Sequence, residues 1–122
     1  MHKAVVAHFE LAAKDPESLK RFYASLFGWR MRTQDAGGCT VYVIDPNGDG
    51  IEGTITPADP GGVRIFVAVD DVLENLYYAE ELGGRIIERP HEIACAGGRA
   101  TVASFADPEG NCVGLSNGFQ RA

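Results

Sequence analysis

Two halves of the chain repeat the same local signals in the same order, and this repeat constrains the fold more than any other feature. The positions that match at an offset of 55 residues are Asp15 with Asp70, Tyr23 with Tyr78, and Gly28 with Gly83. Further along, at an offset of 62 residues, the Asp-Pro-x-Gly turn at residues 45–48 matches the one at residues 107–110. A helix cap, a helix stop and a turn repeated in order indicate the duplication of one supersecondary unit.

The first half has the pattern of one strand, one helix and three further strands. An apolar, β-rich segment over residues 5–11 predicts the first strand. Asp15 as N-cap and Pro16 in the first turn predict a helix start, and Gly28 predicts its end. The apolar stripe between these signals consists of Leu19, Phe22, Tyr23 and Leu26. The three further strands are predicted at residues 29–34, 40–45 and 51–55.

The second half repeats this pattern, with a strand at residues 63–69 and a helix from Asp70-Asp71 to Gly83-Gly84. Its remaining strands are predicted at residues 85–89, 99–106 and 112–116. The extra seven residues of this half predict a loop at residues 89–98. We therefore expect a single domain over residues 1–122, with module one at 1–56, a linker at 57–62 and module two at 63–122.

Charge and composition exclude two classes of partner. The formal net charge is −6, whereas proteins that bind nucleic acid present clustered Lys and Arg. No apolar run is long enough for a membrane span, and no signal peptide is evident. The three cysteines, Cys39, Cys95 and Cys112, do not have disulfide-framework or zinc-site spacing. We expect reduced, mostly buried thiols in a cytoplasmic protein.

The order and spacing of several short motifs resemble a known family over nearly the whole chain. These motifs are His8-Phe9-Glu10-Leu11, Asp15, Phe22-Tyr23, Phe27-Gly28-Trp29, Val67-Ala68-Val69-Asp70-Asp71, Leu82-Gly83-Gly84, and Phe105 through Asn111. Together they resemble the vicinal oxygen chelate superfamily, which contains glyoxalase I, bleomycin-resistance proteins, extradiol dioxygenases and fosfomycin-resistance enzymes. The resemblance implies an α+β, glyoxalase-like fold, in which two tandem βαβββ modules form a curved eight-stranded sheet around a cleft. It also implies a homodimer.

The resemblance allows the metal site of the family to be tested position by position. In metal-dependent relatives each module supplies one ligand from its first strand and one from its last, and these positions correspond to His8 and Glu52 in module one. In module two they correspond to Arg64, or Val63 in an ungapped overlay, and to Gly114. None of these three binds a divalent cation. We therefore expect no metal cofactor; the alternative is a weak Zn, Ni, Mn or Fe site at His8 and Glu52.

His8 and Glu52 are candidate catalytic residues even without a metal. A His–Glu pair in a cleft can exchange protons or hold a polar ligand. The structural alternative is a core-facing imidazole satisfied by hydrogen bonds, with Glu52 at a strand end near solvent. Arg64 either binds a ligand carboxylate or forms an ion pair with Glu52.

The candidate ligand-binding residues are Arg64, Phe66, Trp29, Phe105 and His91. Alternation along the strand places Arg64 and Phe66 on one face. Trp29 and Phe105 each have two interpretations, a wall of the cleft or a core residue. His91 lies in the predicted loop, as a cleft residue or as a solvated side chain.

Two functions follow from these residues. The first is binding of a small or planar ligand in the cleft between the modules, without the full metal site, as in the sequestering resistance proteins. The alternative is a metal-dependent lyase, isomerase or dioxygenase-like enzyme that uses His8 and Glu52, with a site completed by His91 or by a second chain. Because fold alone does not give function in this superfamily, both stay open here.

Overall fold

The computed structural model describes residues 4–36, 38–46, 48–95 and 98–118. Within these residues the chain contains eight strands and two helices, in the order β1 (Val5–Ala13), α1 (Pro16–Phe27), β2 (Met31–Ala36), β3 (Cys39–Ile44), β4 (Glu52–Pro57), β5 (Gly62–Ala68), α2 (Val72–Glu81), β6 (Arg85–Cys95), β7 (Gly98–Ala106) and β8 (Cys112–Ser116). They form two compact units. Unit A comprises His8–Arg64, and unit B comprises the described parts of Met1–Ala7 and Ile65–Ala122.

In unit A the strands lie in the order β2-β3-β4-β1, and α1 packs on one face of the sheet. Strands β1 and β4 are parallel, and their register pairs His8 with Glu52. The buried core under α1 contains Leu11, Ala13, Ile44 and Ile55. Because side chains alternate along a strand, burial of Leu11 and Ala13 under the helix turns His8 to the opposite face.

The ends of α1 follow from its sequence signals. The Asp15 side chain accepts a hydrogen bond from the backbone N–H of Ser18, and Pro16 occupies the first helical turn, where no N–H is needed. Gly28 ends the helix with a φ of 69°, a left-handed conformation that glycine adopts without steric cost.

In unit B the strands lie in the corresponding order β5-β8-β7-β6. Asp71 caps α2 by accepting a hydrogen bond from the backbone N–H of Glu74. Val72 and Leu76 of this helix are buried against a core that also includes Val69, Ala103 and Leu115. The predicted α+β fold class, with two βαβββ units in tandem, is therefore confirmed.

The predicted loop at residues 89–98 is wrong for residues 89–95, because β6 continues to Cys95 and pairs with β7 up to that residue, while residues 96 and 97 lie outside the described residues. The loop was predicted because the second half has seven more residues than the first in this segment. In the structure the ladder has register shifts between Ile86 and Glu88 and between Glu88 and His91, and these bulges accommodate Pro90 in a strand at the end of the strand order. The extra residues of the second half therefore lengthen a hairpin.

Smaller differences concern strand ends and cysteines. Strand β2 begins at Met31 rather than at Trp29, and β4 extends to Pro57. Cys39 and Cys112 are exposed, so the expectation of buried thiols is wrong for these two. No helix in the described residues has the length and hydrophobicity needed to cross a membrane.

Candidate functional site

A row of polar side chains lies on the face of unit A that is turned away from α1. Strand β1 contributes His8 and Glu10 to this face, and β4 contributes Glu52 and Thr54. Arg32 of β2 belongs to the same face, because its guanidinium lies 3.7 Å from the carboxylate of Glu52 on β4. We call these five residues the polar face.

His8 is the most enclosed member of the polar face, at 7% relative exposure. Its Nε2 atom is hydrogen-bonded to the Thr54 hydroxyl at 3.1 Å, and its Nδ1 atom lies 3.7 Å from Glu52 Oε1. Burial lowers the pKa of His8 from 6.5 to about 4, because the protonated imidazole loses hydration there. The imidazole is therefore neutral at pH 7.

Glu52 lies between two nitrogen-bearing side chains without a direct hydrogen bond to either. Arg32 Nη2 is 3.7 Å from Glu52 Oε2, while Arg32 Nη1 is only 2.9 Å from Asp45 Oδ1. The Glu52 side chain is 41% exposed. Among the described residues, no side chain is within hydrogen-bonding distance of its carboxylate, so both oxygens can accept hydrogen bonds from a ligand or water.

Arg64 forms an ion pair with Glu10, which lies two residues beyond His8 on the polar face. Arg64 Nε and Nη2 donate to the same oxygen, Glu10 Oε1, at 3.1 and 2.9 Å. Both side chains are largely buried, at 26% and 18% exposure. Of the two alternatives for Arg64, the ion pair with Glu52 is therefore not the one that forms, because Glu10 is its carboxylate partner. Glu10 accepts two of the five N–H donors of the guanidinium, and Arg64 has further contacts.

Unit B fills the corresponding position with a phenyl ring. Gly114 follows the Asp of its turn by seven residues, as Glu52 does, and its register partner on β5 is Phe66. A Cβ atom at Gly114 would overlap the Phe66 ring atoms Cδ1 and Cε1. The register therefore places Phe66 opposite Gly114, the position at which unit A has a carboxylate. Arg64 and Val63, the two residues that the sequence suggested for this place, do not lie opposite it.

A polar pair lies beside Gly114 on the next two strands of unit B. Ser104 is the β7 neighbour of Gly114, and Glu88 is the β6 neighbour of Ser104. The Ser104 hydroxyl is fully buried and donates a hydrogen bond to Glu88 Oε1 at 2.7 Å. Sequence reasoning missed this pair because the β6 bulge obscures which residues of that strand share a face.

The other predicted ligand-binding residues lie elsewhere. Trp29 stacks on Tyr23 at 5.1 Å between ring centroids and packs against the core under α1, where Phe9 and Tyr42 also pack. Phe105 packs against the core under α2. His91 is exposed in β6, and its Nδ1 donates to the carbonyl oxygen of Arg89 at 2.9 Å. The interpretation as core residues therefore fits Trp29 and Phe105.

The donor set around Glu52 does not fit the metal site of the family. Within residues 4–36, 38–46, 48–95 and 98–118, no three His, Cys, Asp or Glu side chains are grouped closely enough to hold an ion. His8 and Glu52 supply two donors, and the Arg32 guanidinium beside Glu52 opposes a second positive charge there.

A family model and two curated proteins that resemble the chain agree on one family. The family model described as Glyoxalase/Bleomycin resistance protein/Dioxygenase superfamily matches residues 5–115. The protein "Putative glyoxylase CFP32" of Mycobacterium bovis is 31% identical over 115 residues, which is 87% of this chain. A protein of the same name and similarity occurs in Mycobacterium tuberculosis. The chain spans 42% of the length of these relatives.

Solved structures match the fold over almost the full chain. A hypothetical protein from Bacillus halodurans C-125, BH1468, has a TM-score of 0.71 at 16% identity, with 99% of both chains covered. A variant of methylmalonyl-CoA epimerase from Streptomyces coelicolor, in complex with 2-nitronate-propionyl-CoA, has a TM-score of 0.65 at 16% identity, over 97% of this chain and 98% of its own. The Mn(II)-bound glyoxalase from Novosphingobium aromaticivorans has a TM-score of 0.64 at 22% identity. The match covers 91% of this chain and 38% of the glyoxalase chain.

Proposed function

The chain belongs to the Glyoxalase/Bleomycin resistance protein/Dioxygenase superfamily, and we propose that it binds a small molecule at its polar face without a complete metal site. The observation that carries this proposal is the state of Glu52. Its half-exposed carboxylate lies 3.7 Å from His8 Nδ1 and 3.7 Å from Arg32 Nη2, with lone pairs open to a ligand. Members of this superfamily with very different activities share the fold, so the site has to define the function.

The chemistry of the polar face supports a ligand that donates hydrogen bonds. A carboxylate binds N–H and O–H donors, and it does so more strongly when the donor is charged. The neutral imidazole of His8 adds no net charge. Asp45 already engages Arg32 at 2.9 Å, which leaves the guanidinium less available to an anionic ligand. We therefore propose a ligand with an amine, amide or hydroxyl group directed at Glu52.

Two donors are too few for the open metal sites of the family, which use three or more protein ligands. The small donor set supports ligand binding that persists in the presence of a chelator.

Titration of a small-molecule panel tests the proposal, with binding measured by calorimetry in the presence and absence of EDTA. We expect Glu52→Gln to weaken the strongest ligand at least tenfold, since the charged acceptor is lost. Glu92→Gln is the matched control, because Glu92 is a 59%-exposed glutamate paired with Arg99 at 2.9 Å. Unchanged affinity in Glu52→Gln, or no saturable binding by any panel member, would contradict the proposal.

A second candidate is a metal-dependent lyase or isomerase in which His91 or a second chain completes the site. The Mn(II)-bound glyoxalase among the fold matches favours it. It requires near-stoichiometric metal in the purified protein, and divalent ions must then raise the melting temperature. His8→Ala would abolish that rise. Absence of both effects would remove this candidate and leave the metal-independent one.

We also propose that the protein is a cytoplasmic homodimer. The three cysteines lack the spacing of a disulfide framework, which supports a reducing compartment. The resemblance to dimeric family members supports the homodimer.

A further inference from the structure

We propose that Asp45 is a positioning residue, which holds the Arg32 guanidinium away from Glu52 and so keeps the Glu52 carboxylate open to a ligand. The inference deepens the proposed function and rests on it, because it names the residue that controls access to the same carboxylate. Asp45 is the first residue of the first of the two repeated Asp-Pro-x-Gly turns.

Arg32, Asp45 and Glu52 follow one another across three neighbouring strands of unit A. Arg32 pairs with Val43 in the register of β2 and β3, and Asp45 is two residues beyond Val43, on the same face. Asp45 is thus a diagonal neighbour of Arg32, a separation that long side chains can bridge. The register of β3 with β4 makes Glu52 the next residue across from Asp45. Asp45 therefore lies between Arg32 and Glu52 in the direction across the sheet.

The contacts of the guanidinium show which of the two carboxylates it prefers. Arg32 Nη1 donates a hydrogen bond to Asp45 Oδ1 at 2.9 Å, whereas Arg32 Nη2 is 3.7 Å from Glu52 Oε2. A guanidinium has donors enough for two carboxylates, but only the contact with Asp45 has the length of a charge-assisted hydrogen bond. Asp45 thus takes the direct ion pair, and Glu52 keeps the weaker attraction over a longer distance.

The backbone of Asp45 is held in place, while the Arg32 side chain is long and half exposed. The Asp45 N–H donates to the carbonyl oxygen of Arg30 at 2.9 Å, which continues the pairing of β2 with β3. A movement of about 1 Å brings Arg32 Nη2 within hydrogen-bonding distance of Glu52. Without the Asp45 carboxylate, the guanidinium therefore pairs directly with Glu52 and competes with a ligand for its oxygens.

The corresponding turn of unit B uses its aspartate differently. Asp107 accepts hydrogen bonds from two backbone N–H groups of its own turn and from the Asn111 side chain, each at 2.9 Å. Asn111 follows Asp107 by four residues, and the residue four after Asp45 is Asp49. An ionised carboxylate has no hydrogen to donate, so the turn of unit A lacks that side-chain donor. Its aspartate pairs with Arg32 instead.

Crystal structures of the wild type and of Asp45→Ala test the positioning without any ligand. We expect the distance between Arg32 Nη2 and Glu52 Oε2 to shorten from 3.7 Å in the wild type to about 2.9 Å in the variant. Asp49→Ala is the matched control, because it removes the same charge from the same turn. That control should keep the wild-type distance.

Titration with benzylammonium, followed by the NMR signals of the Glu52 and Thr54 amides, measures the effect on a ligand with N–H donors. We expect Asp45→Ala to weaken binding at least threefold relative to both the wild type and Asp49→Ala. In an Arg32→Met background, Asp45→Ala should weaken binding no more than Asp49→Ala does, since no guanidinium is left to move. A merely structural role of Asp45 would weaken binding in both backgrounds.

The outcomes separate the positioning of Arg32 from the proposed function. An unchanged distance between Arg32 and Glu52 in Asp45→Ala overturns the positioning. A shortened distance with unchanged affinity for benzylammonium overturns the role of Asp45 in ligand binding. A shortened distance, together with a wild type that does not bind benzylammonium, supports the positioning and counts against the proposed function. A shortened distance with weakened binding that depends on Arg32 supports both.

Discussion

Phe66 lies across Gly114 on the adjacent parallel strand, so closely that its ring occupies the space of a side chain at position 114. In the first half of the chain the corresponding register pair is His8 and Glu52. One βαβββ unit thus holds an ionisable pair at this position, and the other holds an aromatic ring over bare backbone. The duplicated units have kept the same fold while their chemistry has diverged.

Gly114→Ala should destabilise the protein by roughly 1–3 kcal/mol, because the new methyl group overlaps the Phe66 ring and forces it to move. Urea denaturation measures this loss. Gly62→Ala is the matched control on the same pair of strands, since a Cβ atom there meets nothing within 4 Å. We expect that control to change the free energy of unfolding by less than about 0.5 kcal/mol.

A second variant separates crowding from other effects of the substitution. Replacing Phe66 by Ala in the Gly114→Ala background removes the ring that the methyl group meets. The double variant should be more stable than the sum of the two single changes predicts. Simple additivity would show that Phe66 does not cause the loss.

Stability should fall as the pH decreases from 6.5 toward 4, in part because of His8. The folded pKa of about 4 lies below the unfolded value of 6.5, so only the unfolded chain binds the proton in this window. The contribution of the neutral, buried His8 to the free energy of unfolding is fully present above pH 6.5. It is lost as the pH approaches 4, and its total size is roughly 3 kcal/mol. His8→Gln should flatten the pH dependence of the free energy of unfolding by about this amount.

The slope of the free energy of unfolding against pH is compared between variants, rather than the absolute stability. The substitution also changes the packing around position 8, and that change affects the absolute stability at every pH. His91→Gln, which removes an exposed imidazole, is measured alongside as the control substitution. A His8→Gln profile parallel to that of the wild type between pH 7 and pH 4 would show that burial of His8 does not shift its titration.

Arg64→Met should destabilise unit A by roughly 2 kcal/mol, because it leaves the Glu10 carboxylate largely buried without its guanidinium partner. Adding Glu10→Gln should recover part of the loss, since the orphaned charge is then removed. Thermal unfolding of the two single variants and the double variant gives the coupling energy. A double variant that is as unstable as the summed single losses would contradict a coupled pair.

Asp15→Ala and Asp71→Ala should each cost about 1 kcal/mol, because each side chain accepts the hydrogen bond of a backbone N–H at a helix start. The corresponding Asp→Asn changes keep the acceptor and should cost much less. Chemical denaturation compares the four variants. Equal losses for Ala and Asn at either position would indicate a role of the charge other than capping.

The sequence predicted the elements whose signals are local. Asp15, Gly28 and the repeated turn positions located helix ends and strand order, because capping and left-handed glycine act within a few residues. Strand β6 was predicted too short, since Pro90 is compatible with a strand only where a bulge removes the need for its N–H. Such a bulge is a property of the pairing with β7 and has no local signal.

The candidate site was predicted only in part for a similar reason. His8 and Glu52 were found through the spacing of a family motif, and the structure pairs them across two strands. The partners Arg32 and Thr54 were missed, because they reach the site through the register of β2 and β4. The pairing of Arg64 with Glu10 depends on tertiary approach and cannot be read from one strand alone.

The position of Arg32 gives the site a dynamic character. Strand β2 is the first in the strand order of unit A, and among the described residues its neighbour is β3. Strands with a single neighbour open locally more readily than central ones, since fewer backbone hydrogen bonds hold them. Each such opening would withdraw the guanidinium from Glu52, while the hydrogen bond between His8 on β1 and Thr54 on β4 would stay in place. The local negative potential at Glu52, and with it the attraction for a cationic group, would then fluctuate at the rate at which this edge of the sheet frays and re-forms.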